Sequence, residues 1–107
     1  MTPYVRGRAF EWQVIERMEL LGYCCIRSAG SRSPVDVVAV KAEIPGSWKQ
    51  PEVLAIQCKS GRRAFGADER EALLRWAKLA GAIPCLASRP QGVGVQVVDL
   101  LSGREFG

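Results

Sequence analysis

With 107 residues the chain has the size of one domain, and 48% hydrophobic content is enough to build a core. Fifteen Lys and Arg against eleven Asp and Glu leave a formal charge of +4, which suits a polyanionic partner without requiring one. The absence of histidine excludes Ser-His-Asp and Cys-His catalysis, His-metal nuclease sites and Cys/His zinc fingers.

The predicted elements run helix, strand, strand, helix, strand, strand. Over 8–21, Phe10, Val14, Ile15, Met18 and Leu21 recur at helical spacing, and Gly22 follows where a left-handed residue is wanted. A short apolar strand is expected over 23–27, then a loop of Ser, Gly and Pro as far as Pro34. The run Asp36-Val37-Val38-Ala39-Val40-Lys41 reads as a second strand and 53–59 as a third, joined as a hairpin through Pro45-Gly46-Ser47 and Gln50-Pro51. Gly61 to Gly66 is a basic loop. A second helix starts at Ala67 or Asp68 and runs to about Ala80, where Gly81 stops it. Strands over 83–87 and 93–100 complete an α/β fold, a mixed sheet flanked by helices.

The four cysteines (Cys24, Cys25, Cys58, Cys85) form no C-x-x-C pair, which argues against zinc and thioredoxin-like redox chemistry. Cys24, Cys25 and Cys85 lie in apolar strand-like runs and are expected to be buried, inert thiols. No run of some 18 apolar residues suggests a membrane span. Met1-Thr2-Pro3 lacks the layout of a secretory signal, so an intracellular, cytoplasmic setting is expected.

The chemistry concentrates on two strands. Asp is uncommon in strands, and Asp36 precedes four apolar residues; it needs a cation, a donor or a way to solvent. A turn-capping role after Pro34 is the plainer explanation. In the third strand the apolar run Val53-Leu54-Ala55-Ile56 gives way to Gln57 and Lys59, which share a face while Cys58 points away. An exposed strand end would produce the same pattern. If the two strands pair, Asp36, Gln57 and Lys59 converge: a carboxylate, a second oxygen and a lysine. These are the parts needed to hold a divalent metal and direct a water at a phosphodiester. Glu11, at the margin of the first helix's apolar stripe, reads as solvated on its own. Salt bridges are the expected fate of Glu16 and Glu19.

The arrangement resembles the archaeal-type Holliday junction resolvases, a family of the PD-(D/E)xK nuclease superfamily also found in viruses. The resemblance begins at Arg6-Gly7-Arg8-Ala9-Phe10-Glu11 and is clearest at Arg27-Ser28-Ala29-Gly30-Ser31. It continues through Val35-Asp36-Val37-Val38-Ala39, Ile56-Gln57-Cys58-Lys59, the helix ending at Gly81 and Ile83-Pro84-Cys85-Leu86-Ala87.

It implies a single restriction-endonuclease-like domain over 1–107 that resolves four-way junctions by paired symmetric cuts. The implied active centre is Glu11, Asp36, Gln57 and Lys59, with Ser31 beside it. Asp36, Gln57, Glu11 and the Cys58 carbonyl would hold Mg²⁺, with Mn²⁺ as substitute. Arg6, Arg8 and Arg27 correspond to DNA contacts, to which Arg32, Arg62 and Arg63 are added on charge. Two cuts by single-site chains imply a two-fold homodimer. Some of Trp12, Trp48, Trp76, Phe65 and Phe106 are expected at its interface or in the core.

The departure from the family pattern is Gln57, where most relatives carry Glu. An amide oxygen still ligates magnesium but adds no charge, so weaker metal binding is expected. Two alternatives stay open: a nuclease of the same fold acting on other branched or damaged DNA, and a catalytically weak junction-binding module.

Overall fold

The apolar run of the third strand is the member of the fold that both helices use. In the computed structural model, which describes residues 3–28, 33–46, 48–61, 65–90 and 92–106 (3–6 by backbone alone), β3 spans Glu52–Lys59. Its side chains alternate. Leu54 and Ile56 enter a cluster with Phe10, Val14, Ile15 and Met18 of α1 (Pro3–Leu20). Ala55 enters a second cluster with Leu73 and Ala77 of α2 (Ala67–Ala80). The two helices therefore lie on opposite faces of the sheet.

The other strands are β1 (Cys24–Arg27), β2 (Val37–Lys41), β4 (Ile83–Ser88), β5 (Gln96–Asp99) and β6 (Glu105–Phe106). Their order in the sheet is their order in the chain. Every pairing is antiparallel except β3 with β4, which α2 joins in parallel. The sheet is mixed and helix-covered, as the sequence predicts.

Helix ends follow from local chemistry. Beyond α1, Tyr23 N–H donates to the Met18 carbonyl and Gly22 N–H to that of Glu19, at 3.1 and 3.0 Å. This closing pattern needs Gly22 at φ 94°. Lys41 donates to the Leu21 carbonyl at 2.9 Å, tying the helix end to β2. After α2, Gly81 at φ 70° serves in the same way, with Ala82 N–H on Ala77 O at 2.8 Å.

Several expectations need correction. α1 begins at Pro3 rather than Arg8; a proline in the first turn has no amide hydrogen for the helix to waste. β2 begins at Val37, one residue after Asp36. The fifth strand is confined to Gln96–Asp99, because Gly92 and Gly94 both take positive φ ahead of it. A sixth strand, Glu105–Phe106, pairs with β5. Cys24 is exposed, Cys25 half-buried and Cys85 buried. Cys24 stands on an edge strand, on the face away from α1. Burial pushes the Cys25 thiol up to about 11 and that of Cys85 to about 12, which keeps both protonated. Phe106 is a core residue, Phe65 and Trp76 pack beside α2's cluster, and Trp12 and Trp48 are exposed.

Candidate active site

Asp36 is fixed by its neighbours before its side chain does anything. Val35 is buried against the α2 cluster. The Asp36 amide donates to Ile56 O, and its carbonyl accepts from Ser28 N–H, each at 2.8 Å. Extending the register Val37↔Ile56 by one residue sets Asp36 opposite Gln57. Its Oδ2 then accepts the Cys58 amide at 2.8 Å. The turn-capping explanation is thereby replaced: this carboxylate bridges two strands.

Gln57 and Lys59 do share a face, and both reach Glu69 in the first turn of α2. Gln57 Nε2 donates to Glu69 Oε2 at 3.1 Å, and Lys59 forms an ion pair with the same oxygen. Glu69 Oε1 accepts the Gly66 amide at 3.3 Å, half of a capping box whose other half Gly66 has no side chain to make. With its NH₂ turned to Glu69, Gln57 directs Oε1 the other way. That oxygen is buried and has no hydrogen-bond partner among the described residues.

Glu11 approaches from α1. Arg27, at the end of β1, donates to Glu11 Oε1 at 3.2 Å and lies 5.5 Å from the centre of the Trp12 ring. Burial raises the Glu11 carboxyl above its usual range; the Arg27 hydrogen bond opposes this and the Asp36 charge reinforces it. Burial likewise raises Asp36, against the pull of the Cys58 amide and Lys59 and with the push of Glu69. Glu69 itself is lowered, chiefly by the Lys59 hydrogen bond.

Such a site suits a hard cation. Two half-buried carboxylates repel each other, and an amide oxygen lacks a donor; a divalent ion would answer both conditions. Among the described residues no three His, Cys, Asp or Glu side chains gather closely enough to hold a metal unaided. The unpartnered Gln57 oxygen is a further donor available beside the two carboxylates. Cys58 contributes through its backbone: its amide holds Asp36, and burial drives its thiol well above the ordinary range.

The remaining predicted residues divide. Arg27 is committed to Glu11 and Trp12. Arg8 is exposed on α1, and Arg6 lies on the same helix. Ser31, Arg32, Arg62 and Arg63 lie outside the described residues.

Sequence reasoning passed over two others. Glu69 reads simply as a first-turn acid, three residues after a helix-capping glycine. Arg89, read as turn, follows Ser88, which pairs with Lys59, and its guanidinium stands 5.2 Å from the Phe10 ring centre.

A mixed sheet with helices on both faces, carrying a strand-start Asp and a Gln-x-Lys strand end, has the layout of the PD-(D/E)xK nuclease class. The archaeal Holliday junction resolvase (Hjc) family model matches residues 2–106, and the chain belongs to that family. Over 92 residues it is 29% identical to the crossover junction endodeoxyribonuclease Hjc of Methanocaldococcus jannaschii, covering 83% of this chain. The chain spans 62% of that relative's length. The structure of Archaeoglobus fulgidus Hjc, a Holliday junction resolvase from an archaeal hyperthermophile, superposes with a TM-score of 0.70 at 25% identity. That match covers 89% of this chain and 78% of the other.

Proposed function

We propose that this chain is a metal-dependent DNA endonuclease that resolves four-way junctions by paired symmetric cuts. The observation that carries the reading is the junction of β2 and β3. There the half-buried Asp36 carboxylate, the unpartnered Gln57 oxygen and Lys59 stand on neighbouring strand positions. Family membership supplies the substrate class.

Asp36 and the Gln57 oxygen would hold Mg²⁺, with Glu11 and the Cys58 carbonyl as further oxygen donors; Mn²⁺ would be the natural substitute. A divalent ion held there would supply acidification of a water and neutralisation of phosphate charge. Asp36 is kept in place by the Cys58 amide, and Arg27 holds Glu11 toward Asp36. Lys59 orients the attacking water and offsets charge growing on the phosphate oxygens. The basic residues Arg6, Arg8, Arg32, Arg62, Arg63 and Arg89 grip the phosphate backbone, and Ser31 lies beside the scissile strand. Selectivity then rests on junction shape rather than base contacts.

Two cuts need two sites, and a two-fold homodimer provides them. Support comes from the α2 face of the sheet. Cross-strand partners share a face, so Cys24, Ile26, Val38, Val40, Val53 and Ala55 form one surface. α2 packs over β3 and β4, and at the β1 margin Ile26 is left 70% exposed. No described helix is long and apolar enough to cross a membrane. The DNA substrate implies that the protein works beside the genome, inside the cell.

The test is cleavage of a labelled four-way junction beside matched linear duplex, with and without magnesium. Paired cuts in the junction alone, dependent on metal, support the reading. Junction binding without cutting would make the chain a binding module, with Gln57 as the reason. Cutting of nicked or flapped duplex in preference would make it a nuclease with another branched substrate.

A further inference from the structure

Glu69 holds both members of the Gln-x-Lys pair with one oxygen, and a capping role does not require this. One carboxylate oxygen suffices to satisfy the Gly66 amide, which Glu69 Oε1 accepts at 3.3 Å. Oε2 instead reaches back to β3, where it accepts Gln57 Nε2 at 3.1 Å and pairs with Lys59.

An ionised carboxylate only accepts hydrogen bonds, so it can face only the NH₂ end of the Gln57 amide. The amide is thereby locked in one of its two orientations. Its oxygen is turned away from Glu69, buried and without a donor among the described residues. A free Gln57 could rotate to present NH₂ where an oxygen is needed. Glu69 removes that freedom.

It also restores a negative charge. A Glu at position 57 would give the centre three carboxylates with Glu11 and Asp36. Here the third belongs to Glu69, one hydrogen bond further out.

We infer that Glu69 is a positioning residue of the nuclease centre, orienting the Gln57 oxygen toward the metal and standing in for the charge that Gln57 lacks. The inference rests on the metal-dependent nuclease reading above and adds to it a residue that acts through another side chain. Polarisation of an amide by a neighbouring carboxylate makes its oxygen a better donor to a cation, as outer-shell carboxylates do for metal-bound histidines.

The test uses the full chain, with Mn²⁺ binding followed by electron paramagnetic resonance in the absence of DNA, beside junction cutting. Three proteins are compared: wild type, Glu69→Gln and the exchange Gln57→Glu with Glu69→Gln. A Gln at 69 still offers an oxygen to the Gly66 amide, so the helix start is retained.

Glu69→Gln is expected to weaken Mn²⁺ binding roughly 10–100-fold. The exchange returns a carboxylate to the centre and is expected to recover most of that loss. Unchanged Mn²⁺ affinity in Glu69→Gln overturns the inference, as does an exchange variant that binds no better than Glu69→Gln.

If Glu69→Gln proves unstable by circular dichroism, Glu69→Asp replaces it. That variant keeps the charge but is one methylene short of Gln57, so it too is expected to lose affinity, and wild-type affinity overturns the inference. A wild type that neither binds Mn²⁺ nor cuts junctions overturns the nuclease reading itself, and this inference with it. A wild type that does both, beside an unaffected Glu69→Gln, overturns this inference alone.

Discussion

The Arg27 guanidinium links β1 to α1 by donating to Glu11 across 3.2 Å while lying over the Trp12 ring. Both side chains of this pair are about four-fifths shielded from solvent. The contact gives Arg27 a task within the fold, beside the DNA contact that the family resemblance implies. It also holds a carboxylate whose burial already disfavours ionisation.

Arg27→Gln is therefore expected to slow cutting more than it weakens junction binding. A phosphate-contacting arginine would behave otherwise: its loss lowers affinity and reduces the salt slope of binding by roughly 1. Single-turnover cleavage and a salt titration of junction affinity, made on the same variant, separate the two roles.

Asp36→Asn should abolish cutting and leave a protein that is more stable without metal. Asn still accepts the Cys58 amide, while the half-buried charge that faces Glu11 and Glu69 disappears. The gain expected is about 0.5–2 kcal/mol, as when other functional groups held against their own solvation are neutralised. Thermal melting in the presence of a chelator measures it. Saturating Mg²⁺ should raise the melting temperature of the wild type and not that of the variant.

Lys59→Met keeps the length of the stem and removes the ammonium. Cutting is expected to fall roughly 10²–10⁴-fold, the usual effect of losing a group that handles a proton in the transition state. Junction affinity should change little, since one phosphate contact at most is lost. A comparable fall in affinity and in rate would make Lys59 a binding residue.

A fourth expectation concerns stability far from the site. Asp99, buried at the end of β5, accepts Leu101 N–H at 2.8 Å, Ser102 N–H at 3.3 Å and the Ser102 hydroxyl at 2.9 Å. Burial alone would raise its carboxyl, but these hydrogen bonds outweigh it and hold the pKa below the ordinary 3.8. A depressed carboxyl stabilises the fold above its unfolded pKa and loses that contribution as pH falls through the folded one. Asp99→Asn should thus cost roughly 1.5–3 kcal/mol at neutral pH. The difference from wild type should close as pH drops below 3.8, which urea titrations at stepped pH would follow.

The parts legible in the sequence were those with a period or a stop. Phe10, Val14 and Met18 announced the buried face of α1, and Gly22 and Gly81 ended the helices at the left-handed residue each required. The β2–β3 hairpin followed from two apolar runs around Pro-Gly.

The rest depended on tertiary contact. Two residues have no period, so β6 stayed hidden until Phe106 was seen beside Val97. Cys24 resembled a core thiol because the sequence of a strand does not reveal that it lies at an edge. The convergence of Asp36 and Gln57 followed from pairing, whereas Glu11 and its partner Arg27 entered the site by resemblance alone. Glu69 gave no local sign beyond its distance from Gly66, since its second oxygen acts on a strand that precedes the helix.

The order of strands in the sheet has a consequence for how the molecule is made. Because each strand lies beside its neighbour in the chain, successive pairings are local. The longest connection is the α2 crossover between β3 and β4, and loop-closure costs grow only slowly with length. Glu11, Asp36, Gln57, Lys59 and Glu69 all precede β4. A chain emerging from the ribosome would thus have delivered every one of these groups before β4, β5 and β6 were complete. Those later strands, β4 and β5 with Cys85, Ala87 and Val97, close the core under a centre whose side chains are already present. Translation would finish the protein from its chemistry outward.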